Sequence, residues 1–284
     1  METYRHCEQL VRAADKDRFL ATLFAPADKR DALFALYAFN IEIASVCDRA
    51  REPMPGEIRL QWWRDVLSGE RGGEAAANPV AAALLEAIVR FALRVEPLLD
   101  LIEAHAFDLY DDAMPTLEAL EAYAGKTESI LFADAARIVV DNNQGALGVA
   151  AEHAGIASRI AGLLRRFAQH ASRRQIYVPL EVLDRHGARI EDVLAGQATV
   201  AVRSALAELR GEARRHVAAF EALLPKLPAS AMPAFLPVAL VPGYLAAMEQ
   251  GAYAPFKSAV ELPQWRRQWA LWRAARRYAG AMRG

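Results

Sequence analysis

Apolar positions along this chain recur with the period of a helix. In "DALFALYAFNIEIASVCDRA", Leu33, Leu36, Tyr37, Ile41 and Ala44 share one face, and in "VAVRSALAELRGEARRHVAAFEALL" Val202, Leu206, Leu209 and Val217 share another. Neither stretch alternates with period two. Breakers stand where such helices should stop: Pro26, Pro53 with Pro55 and Gly56, "GERGGEAAANP", Pro97, Pro115, "DNNQGALG", Pro179, Gly187, Gly196, Pro225 to Pro228, and Pro255. They predict about ten helices. No linker or repeat divides them, so one all-α domain over residues 1–284 is expected. No apolar run is expected to reach the roughly 20 residues needed to cross a bilayer, because Arg, Asp, Pro or Gly interrupts the richest stretches.

The tail "LPQWRRQWALWRAARRYAGAMRG" departs from the simple amphipathic pattern. Trp265, Trp269 and Trp272 recur at i, i+4 and i+7, while Arg266, Arg267, Arg273, Arg276 and Arg277 crowd the flanks. Residues 263–284 therefore form a basic, aromatic C-terminal helix with two readings. Either the tryptophans close the domain and the arginines solvate it, or the helix lies on an anionic membrane surface.

Composition narrows the class. Of 284 residues, 54% are hydrophobic and 34 basic side chains balance 35 acidic ones, which argues against a nucleic-acid partner. Cys7 and Cys47 give no disulfide framework, and "METYRHCEQLVRAADKDRFL" has no secretory core, so a cytoplasmic location is expected. Phosphate-loop, Cys-x-x-Cys and His-Glu-x-x-His patterns are absent, and the six histidines stand singly. Trp62 and Trp63 read as core packing. "DLYDD", with Asp108, Asp111 and Asp112, reads equally as a polar site or a solvated helix end. Glu42 is a candidate only as a carboxylate close to a buried space.

The most unusual segment is "LRRFAQHASRRQIYVP", residues 164–179, the last turns of a helix running into an extended exit. Arg159, Arg166, His170 and Arg173 lie on one stripe beside Leu163, Leu164 and Phe167. With Arg165 and Tyr177 they form a candidate anion or phosphate site, since guanidinium groups bind phosphate bidentately without metal. The plainer alternative is that Arg165, Arg173 and Arg174 solvate the helix end and complement its dipole.

The order of several clusters resembles the squalene/phytoene synthase family, all-α enzymes that join prenyl diphosphates inside a helical barrel. Phe19, Arg30, Leu36-Tyr37-Ala38, Arg59-Leu60 with Trp63-Arg64, Ile102 to Asp108, Tyr123, Gly155 with Ala157, Leu164-Arg165 and Tyr177-Val178-Pro179 carry the resemblance. It implies an isoprenoid-synthase barrel around a central apolar cavity, with residues 30–50 facing 145–172. Tyr37, Asn40, Ile41, Ala44, Asp48, Asp108 and Gly162 would line that cavity.

The departures are as informative. Where the family carries its first acidic patch this chain has Ala44, Ser45 and Asp48, preceded by Asn40-Ile41, and where it carries the second this chain has Arg166, Gln169 and His170. Magnesium needs carboxylate oxygens, and a guanidinium can only donate. No cofactor is expected, magnesium binding should be lost, and the field at the cavity mouth should change sign. "FALYAFNIEIA", "SRRQIYVP" and "MPAFLPVALVPGYLAAM" resemble the family branch that contains complex I assembly factors. That branch implies a non-catalytic assembly or lipid-handling role for NADH:quinone oxidoreductase, with a complex I subunit as partner, a lipid or prenyl (di)phosphate as ligand, and peripheral contact with an anionic inner membrane. The alternative is a prenyl transferase acting on prenyl diphosphates.

Overall fold

The computed structural model describes residues 2–49, 52–110, 112–140, 146–257 and 259–281, and among them there is no strand. Asp111 and most of "DNNQGALG" lie outside the described residues. The principal helices are α1 (Glu2–Ala14), α2 (Lys16–Thr22), α3 (Ala27–Ala44), α4 (Pro53–Leu67), α5 (Pro79–Phe91), α6 (Val95–Ala106) and α7 (Leu117–Ala124). They continue with α8 (Ile130–Val139), α9 (Ala146–Arg165), α10 (Phe167–Ser172), α11 (Val200–Leu223), α12 (Val241–Ala247) and α13 (Gln264–Ala281). Shorter helical turns join them. The expected ten helices become eighteen α-helical segments among the described residues. Part of the excess comes from breaks inside single amphipathic patterns, at Ser45 and Arg166, where no proline or glycine announces them.

Local chemistry sets the ends that matter. Asp15 caps α2 by accepting from the Arg18 backbone N–H at 3.0 Å, and Thr116 and Thr199 cap α7 and α11 in the same way. After α10 the chain reverses through Arg174, whose φ of 62° is left-handed. Met114 then receives it: its N–H donates to the Ile176 carbonyl and its carbonyl accepts from Leu180 N–H, both at 2.9 Å, which fixes the Tyr177-Val178-Pro179 exit.

Buried apolar residues from Cys7 to Tyr278 form one connected core. Helices α1, α3 and α5 pack against each other on one side, and α9 lies along α11 on the other. Trp63 is fully buried and meets Phe39 edge to face, whereas Trp62 is half-buried and donates to Glu74. One segment corrects the sequence reading on membrane spans. Ala229–Ala247, mean hydropathy 1.5, is long and apolar enough to cross a bilayer, yet proline-broken turns fold it into the core, where Phe235, Leu236 and Val238 are fully buried.

The close approach that organises the interior lies between α9 and the rod formed by α7 and α8. Gly125–Ser129 joins those helices as a π turn, which widens the spiral by a residue. Gly155 on α9 sits directly against it, so that a Cβ at this position would meet Ser129 Cα and N at 2.4 Å. Gly162, two turns later, faces open space. Gly155→Ala should therefore cost at least the 1–3 kcal/mol or so typical of overpacking, because backbone cannot yield as a side-chain tip can. Gly162→Ala should be neutral or stabilising by up to about 1 kcal/mol through helix propensity. Urea denaturation of the two variants checks this, and equal midpoints would remove Gly155 from its organising role.

Candidate functional site

A cavity of about 480 Å³ opens between the α2 start, the ends of α3 and α9, α12 and the front of α13. Asn40, Ile41, Ala44 and Asp48 line one side and Gly162, Arg165, Arg166 and His170 another, with Asp108, Arg159 and Tyr177 also in the wall. The two segments expected to face each other thus share one cavity. Its character differs from expectation: the lining is polar and charged. Tyr37 is buried but does not line it, because the Arg18 guanidinium lies over the Tyr37 ring at 5.1 Å.

Six carboxylates line the space (Asp15, Asp17, Asp48, Asp108, Glu128 and Glu261) against six cations (Lys16, Arg18, Arg159, Arg165, Arg166 and Arg267). The basic stripe therefore does not invert the field, because other elements return the acidic charge. Buried Arg18 pairs with Glu128 and, at 3.3 Å, with Asp15. Arg159 donates to Thr127 Oγ1 at 3.1 Å, approaches Glu128 at 3.8 Å and covers the Tyr123 ring. Arg165 bridges Asp17 at 3.3 Å and Glu261 at 3.0 Å while stacking on Tyr244, whose hydroxyl donates to Asp17 at 2.6 Å. Arg267 completes that group against Asp17 and Glu261.

Asp108 is the hub of a second network. It is 7% exposed and accepts from His105 Nδ1 at 2.6 Å, Tyr177 at 2.6 Å and Tyr123 at 2.9 Å. Burial alone would raise its carboxyl, but the His105 and Tyr177 hydrogen bonds and the Arg159 charge outweigh it and hold Asp108 below the usual carboxylate range. Burial and the neighbouring carboxylate push Tyr177 and Tyr123 well up, so both stay neutral donors. Between its two readings, "DLYDD" resolves by residue: Asp108 serves a polar site and Asp112 is exposed.

The candidate anion ligands fare unequally. Arg159, Arg165 and Arg173 are taken by carboxylates, Arg173 by Asp48. Tyr177 donates its hydrogen bond to Asp108. His170 is no cation: burial, joined by the Arg166 charge, lowers it to about 4 despite its contact with Gln175. Arg166 alone is exposed and without an ion pair among the described residues. Glu42 lies off the cavity, paired with Arg59 at 3.0 Å and Arg49 at 3.6 Å.

The facing positions do not fit a magnesium ion. They offer Ala44, Ser45 and Asp48 against Arg166, Gln169 and His170, and the single carboxylate already holds Arg173. The grouping with metal-ligand geometry among the described residues lies elsewhere, at Glu121, Glu212 and His216. There the Arg215 guanidinium touches all three at 2.6 to 3.1 Å and supplies the positive charge itself.

Arg18, Asp17, Glu128, Glu261 and Tyr244 carry no signal in the sequence that marks them as cavity residues, and Arg267 reads there only as part of the basic tail. His105 was passed over as one of several single histidines, although its place three residues before Asp108 puts both on one helix face.

The His170 environment sets a pH dependence. Its folded value is depressed, so its contribution is full above the unfolded value of about 6.5 and is lost as pH falls from there toward 4. Between pH 7.5 and 5 the native chain should lose about 2 kcal/mol more stability than His170→Gln by urea unfolding. Parallel losses would overturn this.

Known proteins resemble this chain over most of its length. A bovine relative, "NADH dehydrogenase (ubiquinone) complex I, assembly factor 6", is 31% identical over 248 residues, covering 87% of this chain and 74% of its own. The 15-cis-phytoene synthase of Synechocystis is 27% identical over 206 residues, covering 69% of this chain and 61% of its own. A solved dehydrosqualene synthase superposes with a TM-score of 0.86 at 18% identity, covering 98% of this chain and 97% of that one. The squalene/phytoene synthase model matches residues 11–273, and the chain belongs to that family.

Proposed function

We propose that this protein is a non-catalytic member of the squalene/phytoene synthase family that serves the assembly of respiratory complex I, NADH:quinone oxidoreductase, and handles a lipid in its cavity. The observation that carries the reading is the state of the two facing acidic positions: one carboxylate remains, and Arg173 occupies it. Prenyl transfer in this family depends on magnesium neutralising a leaving diphosphate, and the carboxylates for that are missing. Similarity to assembly factor 6 over 87% of the chain supports the client.

The C-terminal helix supports contact with a membrane surface. Trp265, Trp269 and Trp272 are 63%, 55% and 42% exposed, so they do not close the core, and that work falls to Leu271, Ala274 and Tyr278. Arg267 turns inward to Glu261, and exposed Arg277 pairs with Glu221. Arg266, Arg273 and Arg276 stay exposed beside the tryptophans without a carboxylate partner among the described residues. This combination favours an anionic lipid interface.

Three outcomes follow. Purified protein incubated with farnesyl or geranylgeranyl diphosphate, with or without Mg²⁺, should yield no coupled product, and calorimetry should find no micromolar Mg²⁺ site; turnover in either arm would overturn the non-catalytic reading, and turnover without Mg²⁺ would establish a metal-independent transferase. Deletion in the host should lower membrane NADH:quinone reductase activity while sparing succinate oxidation, and unchanged NADH oxidation would remove the assembly role. The protein should sediment with phosphatidylglycerol vesicles at low salt and be released by ~0.5 M salt. Combined Trp265→Ala, Trp269→Ala and Trp272→Ala substitutions should abolish sedimentation, a cleaner test than truncation because the same helix supplies core. Equal sedimentation with phosphatidylcholine would contradict it.

A further inference from the structure

Unpartnered buried polar atoms gather at the cavity. His105 Nε2, Asn40 Oδ1 and Ser158 Oγ have no hydrogen-bond partner, nor have Asp17 Oδ1 and Arg267 Nε, which stand 3.5 Å apart as an ion pair, and all five residues line it. His105 and Asn40 are 3% and 7% exposed. Buried polar groups without partners are rare because each loses its water without recompense, so a cluster of them at one cavity marks the place of a ligand.

The chemistry of these atoms specifies the ligand. Asp108 accepts from His105 Nδ1, which leaves Nε2 as the polar ring atom without a partner. The Asn40 amide and Ser158 hydroxyl are uncharged. Every buried arginine of the lining is already held by carboxylate: Arg18 by Glu128 and Asp15, Arg267 by Glu261 and Asp17. An anion in the interior would have to break those pairs, whereas a hydroxyl, which both donates and accepts, can bond the unpaired atoms without disturbing them. Ile41, Ala44, Leu163 and Leu240 add apolar wall, and 480 Å³ lies within the usual range for a small-molecule site.

We propose that the cavity binds an uncharged, hydroxyl-bearing lipid, its hydroxyl hydrogen-bonded to His105 Nε2, with Asn40 and Ser158 as the remaining polar partners. The assignment rests on the reading of the cavity as a lipid site without metal-assisted catalysis. Arg166 and Lys16 are exposed and stand among the lining residues, but they do not supply the interior partners that the orphan atoms require.

The test is calorimetric titration of the full-length protein with geranylgeraniol and, separately, with geranylgeranyl diphosphate, without Mg²⁺. The alcohol should bind more tightly than the diphosphate. His105→Phe and Asn40→Leu, each verified as folded by circular dichroism, should each weaken the alcohol about tenfold and leave the diphosphate unchanged. Should His105→Phe disturb the Asp108 network, Asn40→Leu on the opposite wall carries the comparison. The ¹⁵N resonance of His105 Nε2 should move on adding the alcohol, as a direct hydrogen bond requires. Tighter binding of the diphosphate, no binding of the alcohol, or alcohol binding indifferent to both substitutions would overturn the proposal. Product formation from the diphosphate would instead overturn the non-catalytic reading, so the two failures are separable.

Discussion

Charge buried among helices must be paired, and that constraint shapes the interior of this protein. An unpaired guanidinium away from water costs several kcal/mol or more, whereas one held by carboxylate and stacked on an aromatic ring is tolerated. Arg18 meets the requirement through Glu128, Asp15 and the Tyr37 ring, and Arg165 through Asp17, Glu261 and Tyr244. These pairs join α2, the π turn, α9 and the approach to α13, segments distant in sequence. The arginines thus tie the barrel together as well as line its cavity.

The same pairing explains how the family fold survives with a different interior. A dehydrosqualene synthase at 18% identity shares the architecture at a TM-score of 0.86, as expected when helical periodicity and core volume specify a fold and site residues do not. Where carboxylates would face one another across a metal, this chain sets Arg173 against Asp48 and neutral His170 near Tyr177. The gap that a cation would bridge is closed by side chains of the chain itself. The Arg215 group, with Glu121, Glu212 and His216, repeats the device on another face.

Backbone geometry sets the cavity's dimensions. The π turn at Gly125–Ser129 displaces Thr127 and Glu128 from ordinary helical register, and Gly155 lets α9 close upon it, so that Arg159 reaches Thr127 and Glu128 together. The helix breaks at Ser45 and Arg166 redirect the chain beside the cavity. Asp108, Tyr123 and Tyr177 then converge from three segments, the last held in place by the Met114 backbone.

The helical class, the burial of Trp63, the amphipathic tail and the absence of facing carboxylates were determined by the sequence alone, because each depends on spacing within one segment or on the chemistry of a residue type. Arg166 and Asp48 could not be metal ligands together whatever their surroundings. Whether the cations of the basic stripe were free depended on Glu128, Asp17 and Glu261, which are remote in sequence and become partners only when helices pack. The neutrality of His170 likewise follows from burial that no local pattern encodes, and the inward turn of Arg267 beside outward Trp265 and Trp269 follows from how α13 docks. Periodicity specifies which face of a helix is buried, while charge compensation is a property of what that face meets, and only the tertiary structure decided it.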